Sequence, residues 1–141
     1  MQKMTAQKMT ATWAGGMRFV YQSSSGHGLV TDVPVEAGGL GTAATPMELV
    51  LLGLIGCTGV DVTSILTKMK EPLEGLEVTA EYERADAHPR VYTRIHLKYT
   101  ARGAINEKKL QRAIGLSEST YCSVSAMLGK TAEITHEYEI I

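Results

Sequence analysis

The stretch Leu49 to Val60, LVLLGLIGCTGV, carries no charge and lies between helix signals on both sides. Thr45-Pro46-Met47-Glu48 opens it. Thr45 is able to cap, Pro46 suits the first helical position, and Glu48 stands where a capping box puts its acid. At the far end Lys68 and Lys70 suit the negative pole of the helix dipole, and Pro72 forbids continuation. The spacing predicts a helix from about residue 46 to about residue 70, roughly 37 Å long at 1.5 Å per residue. Its first half is apolar all round, so burial on all sides is expected. The apolar run is about half of the ~20 residues that a membrane span needs, which favours a core helix and no membrane partner. Gly53, Gly56 and Gly59 each cost ~1 kcal/mol against alanine inside a helix. They are tolerable where another backbone comes close.

The segments on either side read mainly as strands. Residues 8–14 and 17–23 flank Gly15-Gly16, a hairpin turn signal, and Leu29 to Val33 forms a third short strand. Glu36 to Ala44 is a glycine-rich loop. The Lys-Met-Thr-Ala repeat at 3–6 and 8–11 is too short to be architectural. Residues 76–84 and 91–102 are the clearest strands. In the second, Val91, Thr93, Ile95, Leu97 and Tyr99 alternate with more polar neighbours. Asn106 caps a helix whose face carries Leu110, Ala113, Ile114 and Ser117. A break near Ser119-Thr120 leads to a shorter helix from Cys122 to Leu128, ended by Gly129. Ala132 to Ile141 is a closing strand. Grouped strands and few helices give an α+β chain with antiparallel sheet.

The chain of 141 residues, 44% hydrophobic, fits one domain with a real core. Fourteen basic against fifteen acidic residues, a net charge of -1, favour neither nucleic acid nor an anionic surface. The first dozen residues lack the apolar centre of a secretory leader, so a cytoplasmic location is expected. No Cys-x-x-Cys, no histidine pair at metal-ligand spacing and no P-loop lysine after Gly38-Gly39-Leu40-Gly41 is present. No metal and no cofactor are therefore expected.

Cys57 and Cys122 stand 65 residues apart. They are either packing residues or a redox pair that meets in space. A reactive thiol needs a nearby cation or a helix N-terminus. Cys57 lies about eleven residues into its helix, too deep for the dipole. Arg18, in the strand beginning at Met17, is a candidate cation or an exposed charge. Cys122 opens its short helix, where backbone N–H groups favour a thiolate. His27, in Ser25-Gly26-His27-Gly28, is either an exposed turn residue or part of a loop over the site.

Thr45-Pro46-Met47-Glu48-Leu49 leading to Leu54-Ile55-Gly56-Cys57-Thr58 resembles the reactive-cysteine helix of the OsmC and organic hydroperoxide resistance family. Tyr121-Cys122-Ser123-Val124-Ser125 is similar to its second-cysteine motif, with serine in place of proline. Gly16-Met17-Arg18 resembles the strand that carries its arginine. The resemblance covers essentially the whole chain, 1–141, as one OsmC-like domain. It implies an intertwined homodimer, antiparallel sheets around two central helices, one from each copy. It further implies a thiol peroxidase in oxidative stress defence. Cys57 attacks an organic hydroperoxide, Cys122 resolves the product to a disulfide, Arg18 stabilises the thiolate and Glu48 holds the arginine. A lipoyl-type dithiol then reopens the pair.

Two positions depart from that pattern. The peroxidase glutamate stands ten residues before the cysteine, where this chain has Met47. Glu48, at nine, faces away from Cys57 on a straight helix, about 13 Å along the axis. Its plain role is the capping-box acid. Asp61, four residues after Cys57 on the same face, replaces a small apolar residue and is expected to raise the thiol pKa. That leaves an alternative open: a non-catalytic dimer of the same fold that binds a small apolar or electrophilic ligand at its interface.

Overall fold

The computed structural model describes residues 6–141, so the first copy of the Lys-Met-Thr-Ala repeat lies outside the described residues except for Ala6. The chain forms two compact units, one ending at Val50 and one spanning Leu51–Ile141.

The first unit holds an antiparallel sheet of three short strands, β1 (Thr10–Trp13), β2 (Phe19–Gln22) and β3 (Gly28–Thr31), in that order. The β1–β2 turn uses Gly15 and Gly16 at φ +92° and +58°, a region that glycine enters without strain. After a 3-10 turn at Val35–Ala37, the loop is tied by Asp32. Its carboxylate accepts from the Val33 N–H (2.7 Å), the Thr42 N–H (3.0 Å) and the Thr42 hydroxyl (2.6 Å). These bonds, Thr42's first, hold its pKa at about 2. Because the folded value lies below the ordinary ~3.9, the stabilisation is present above that value and is lost as pH falls from about 4 towards 2. We expect amide exchange in 32–42 to accelerate over that window, and Asp32→Asn to remove the pH dependence.

The long helix α1 spans Pro46–Lys68 and starts as its sequence predicts. The Thr45 hydroxyl accepts from the Glu48 N–H (3.1 Å), and the Glu48 carboxylate accepts from the Thr45 N–H (2.9 Å). This is a complete capping box. By length and composition alone α1 is long and apolar enough to cross a membrane. Its buried residues nevertheless form one stripe, Leu51, Leu54, Thr58, Val62 and Leu66, at the spacing of a core helix. The expected burial on all sides is not met. Leu52 is 50% and Val60 69% exposed, and Gly53 and Gly56 face open space. One chain has too little mass to surround its own most apolar helix.

The second unit continues with β4 (Gly75–Arg84), β5 (Tyr92–Arg102), α2 (Glu107–Leu116), a π-turn (Ser117–Tyr121), α3 (Ser123–Leu128) and β6 (Glu133–Ile140). β4 and β5 pair antiparallel, with a register shift between Glu83 and Arg84 that leaves Thr93 as the extra residue. The shift explains why Tyr92 is buried together with Ile95, Leu97, Tyr99 and Ala101, rather than Val91 and Thr93. β6 lies beside β5 but parallel to it. The α+β class with antiparallel sheet holds, and the parallel β5–β6 pair makes the second sheet mixed. α2 and α3 carry the chain back across the sheet, and such a crossover returns a strand in the same direction. Asn106 caps α2, its side chain accepting from the Lys109 N–H at 3.0 Å. Leu110, Ala113, Ile114 and Ser117 are all buried, as their shared face predicts.

Candidate functional site

The second unit brings Cys57 and Cys122 together. Both are free thiols, and their sulfurs lie with an Asp61 carboxylate oxygen inside a cluster whose three atoms are all within 4.8 Å of one another. Cys57 and Asp61 come from one face of α1, one turn apart. Cys122 comes from the N-cap of α3. The two thiols are therefore delivered by different elements, and the π-turn governs their approach.

That turn widens the end of α2 by one residue. The Cys122 N–H reaches back to the Ser117 carbonyl at 2.7 Å, five residues earlier. The Ser117 side chain, fully buried, donates to Asp61 at 2.9 Å. One residue thus fixes both the second cysteine's backbone and the carboxylate's orientation. Wide turns of this kind are frequent at functional sites. The first turn of α3 adds two amides: Ser125 N–H points to the Cys122 sulfur at 3.3 Å, and Val124 N–H is directed at Cys57.

The balance at Cys57 nevertheless favours the thiol. Burial pushes its pKa above the ordinary cysteine value, and the hydrogen bond with Cys122 adds to this. The charges of Cys122 and Asp61 push the same way, while the Val124 amide pulls down. The Asp61 effect has the direction that its position predicts.

Behind the thiols lies a network that the sequence does not reveal. Tyr99, fully buried, donates to Glu118 at 3.4 Å, and Glu118 accepts from or pairs with His136 Nδ1 at 2.7 Å. Burial raises Tyr99 and Glu118 above their ordinary ranges, with the Glu118 charge adding to the rise at Tyr99. His136 pulls Glu118 back down. His136 is exposed on β6, and its contact with Glu118 ties it to this network. Beside Asp61 opens a cleft of about 430 Å³ whose walls include Lys68 and Arg112.

The other residues singled out lie in the first unit. Arg18 is exposed in the β1–β2 connection, just before β2 rather than within it, and its backbone closes that turn through Gly15 and Ala14. Glu48 is engaged in the capping box. His27 is exposed in the β2–β3 turn, its Nδ1 3.0 Å from the Ser25 hydroxyl.

The family model for OsmC-like proteins matches residues 39–137. Protein YhfA of Escherichia coli K12 is 38% identical over 131 residues, covering 92% of this chain and 94% of that protein. The crystal structure of a hypothetical protein from Aquifex aeolicus VF5 superimposes with a TM-score of 0.85 at 30% identity, covering 98% of both chains. An organic hydroperoxide resistance protein from Elizabethkingia anophelis shares the fold over the full length of both chains, with a TM-score of 0.76 at 19% identity.

Proposed function

The chain belongs to the OsmC-like family, and from that premise we propose that it is a thiol peroxidase that reduces organic hydroperoxides through Cys57 and Cys122. The observation that carries this reading is the convergence of the two free sulfurs from positions 65 residues apart. Packing alone does not require two thiols to meet. The organic hydroperoxide resistance name of a structural neighbour supports the substrate class.

The chemistry balances with these two residues. The Cys57 thiolate attacks the outer peroxide oxygen, the O–O bond breaks, and the alkoxide leaves and is protonated to the alcohol. Cys57 is then a sulfenic acid. The Cys122 thiolate attacks that sulfur and expels hydroxide, which takes a proton to become water, and a disulfide forms. A lipoyl-type dithiol restores both thiols by exchange and is itself oxidised to its disulfide. Arg18 is the residue to which the resemblance gives the cation for the thiolate. Arg18→Ala is expected to slow the attack step while leaving the fold intact. For Glu48 the capping box is a sufficient role.

A homodimer fits the same reading. None of the buried hydrophobic residues among those described lies before Leu51, so the β1–β3 sheet has no core of its own. Leu52, Ile55, Gly56, Gly59 and Val60 line an apolar groove on α1. A second copy would cover these surfaces, and sedimentation is expected to give twice the 15.3 kDa chain mass.

The raised Cys57 thiol favours the second reading, a ligand-binding dimer without turnover. A coupled assay separates the two. Peroxidase action predicts catalytic consumption of cumene hydroperoxide with dihydrolipoamide, faster than that of hydrogen peroxide. Absence of turnover with both substrates favours the binding module.

A further inference from the structure

We infer that Cys57, Asp61 and Cys122 form a binding site for one thiophilic divalent metal ion of the zinc type. Two sulfurs and one carboxylate oxygen converge within 4.8 Å of one another. Tetrahedral zinc with bonds of about 2.3 Å to sulfur sets its sulfurs on the order of 3.8 Å apart. The donor set is the one that such an ion selects: two soft thiolates and one harder oxygen.

The surroundings are those of a supported site. Ser117 donates to Asp61 Oδ2 at 2.9 Å, which holds the carboxylate in place. Among the described residues this hydrogen bond is the carboxylate's partner, and Asp61 is in no ion pair. Ser125 N–H orients the Cys122 sulfur. Outer partners of this kind are a regular part of metal sites. Two thiolates and one carboxylate on a divalent ion leave one net negative charge. Lys68 and Arg112 line the cleft that Asp61 also lines. Three protein ligands leave a fourth position for water or an added ligand.

The inference does not depend on peroxide chemistry. It needs only the reduced thiols and Asp61, so its failure and the failure of the peroxidase reading are separate results. An ion bound here would hold both sulfurs and withhold them from disulfide formation.

The test uses the full-length, reduced protein, freed of metal by a chelator and titrated with Co²⁺ and then Zn²⁺. One ion per chain is expected in native mass spectra, with thiolate charge-transfer bands for Co²⁺ that Zn²⁺ displaces. Cys57→Ser should lose the ion. Asp61→Asn should keep thiolate bands but bind at least tenfold more weakly, and Ser117→Ala about tenfold more weakly. Circular dichroism checks that each variant is folded, and alkylation of the wild-type thiols provides the same loss without a substitution. No charge-transfer band with both thiols free would overturn the site. So would unchanged affinity in folded Asp61→Asn and Ser117→Ala, which would mean binding by thiols alone.

Discussion

Cys57→Ser is expected to reduce turnover of organic hydroperoxide to background, a loss on the order of 10³ or more, as removal of a covalent nucleophile does elsewhere. Serine in that position is not ionised near neutral pH and has no comparable nucleophilicity. Cys122→Ser is expected to behave differently. It should consume one hydroperoxide per chain and stop, with one added oxygen on Cys57 that a sulfenic-acid reagent captures. The two variants thus share a loss of steady-state turnover but differ in the first turnover. If both consumed no peroxide in the first turnover, Cys122 would be needed for attack and the assigned roles would be wrong.

The second large effect is on pH. Only the thiolate attacks, and burial, Cys122 and Asp61 all hold Cys57 protonated. A raised pKa means that the thiolate fraction, and with it the attack rate, is low at neutral pH and climbs with pH. A rise of about tenfold per pH unit is expected through neutrality and beyond the ordinary ~8.5 of a cysteine. Asp61→Asn removes one of the charges that raise Cys57, so the profile should move to lower pH and the rate near neutrality should increase. Stopped-flow measurement of thiol loss against pH, in wild type and Asp61→Asn, reads both effects. A wild-type rate already flat from pH 6 upward would mean that the thiol is ionised there and that a cation outweighs the three raising influences.

These predictions rest on features of unequal visibility in the sequence. Local signals were legible. Thr45 and Glu48 form the capping box because both partners lie within one turn, and Asn106 caps α2 for the same reason. The pairing of Cys57 with Asp61 follows from a spacing of four on a helix. The meeting of Cys57 with Cys122 did not follow from any spacing; only resemblance to a family implied it. The parallel return of β6 is a long-range matter, since strand direction depends on how α2 and α3 cross the sheet. The Glu118–His136 pair depends on that return and on the π-turn, so neither residue carried a sign of it. The exposed side of α1 was hidden by a different cause. An all-apolar helix predicts burial, but not whether the cover belongs to the same chain.

Whether Cys57 and Cys122 are a redox pair can be read from intact-protein mass after one equivalent of cumene hydroperoxide. A rapid loss of two hydrogens per chain is expected, mapped by peptide analysis to a Cys57–Cys122 disulfide and reversed by dihydrolipoamide. Both thiols still free after prolonged exposure, or oxidation that leaves Cys122 untouched in the wild-type protein, would contradict it.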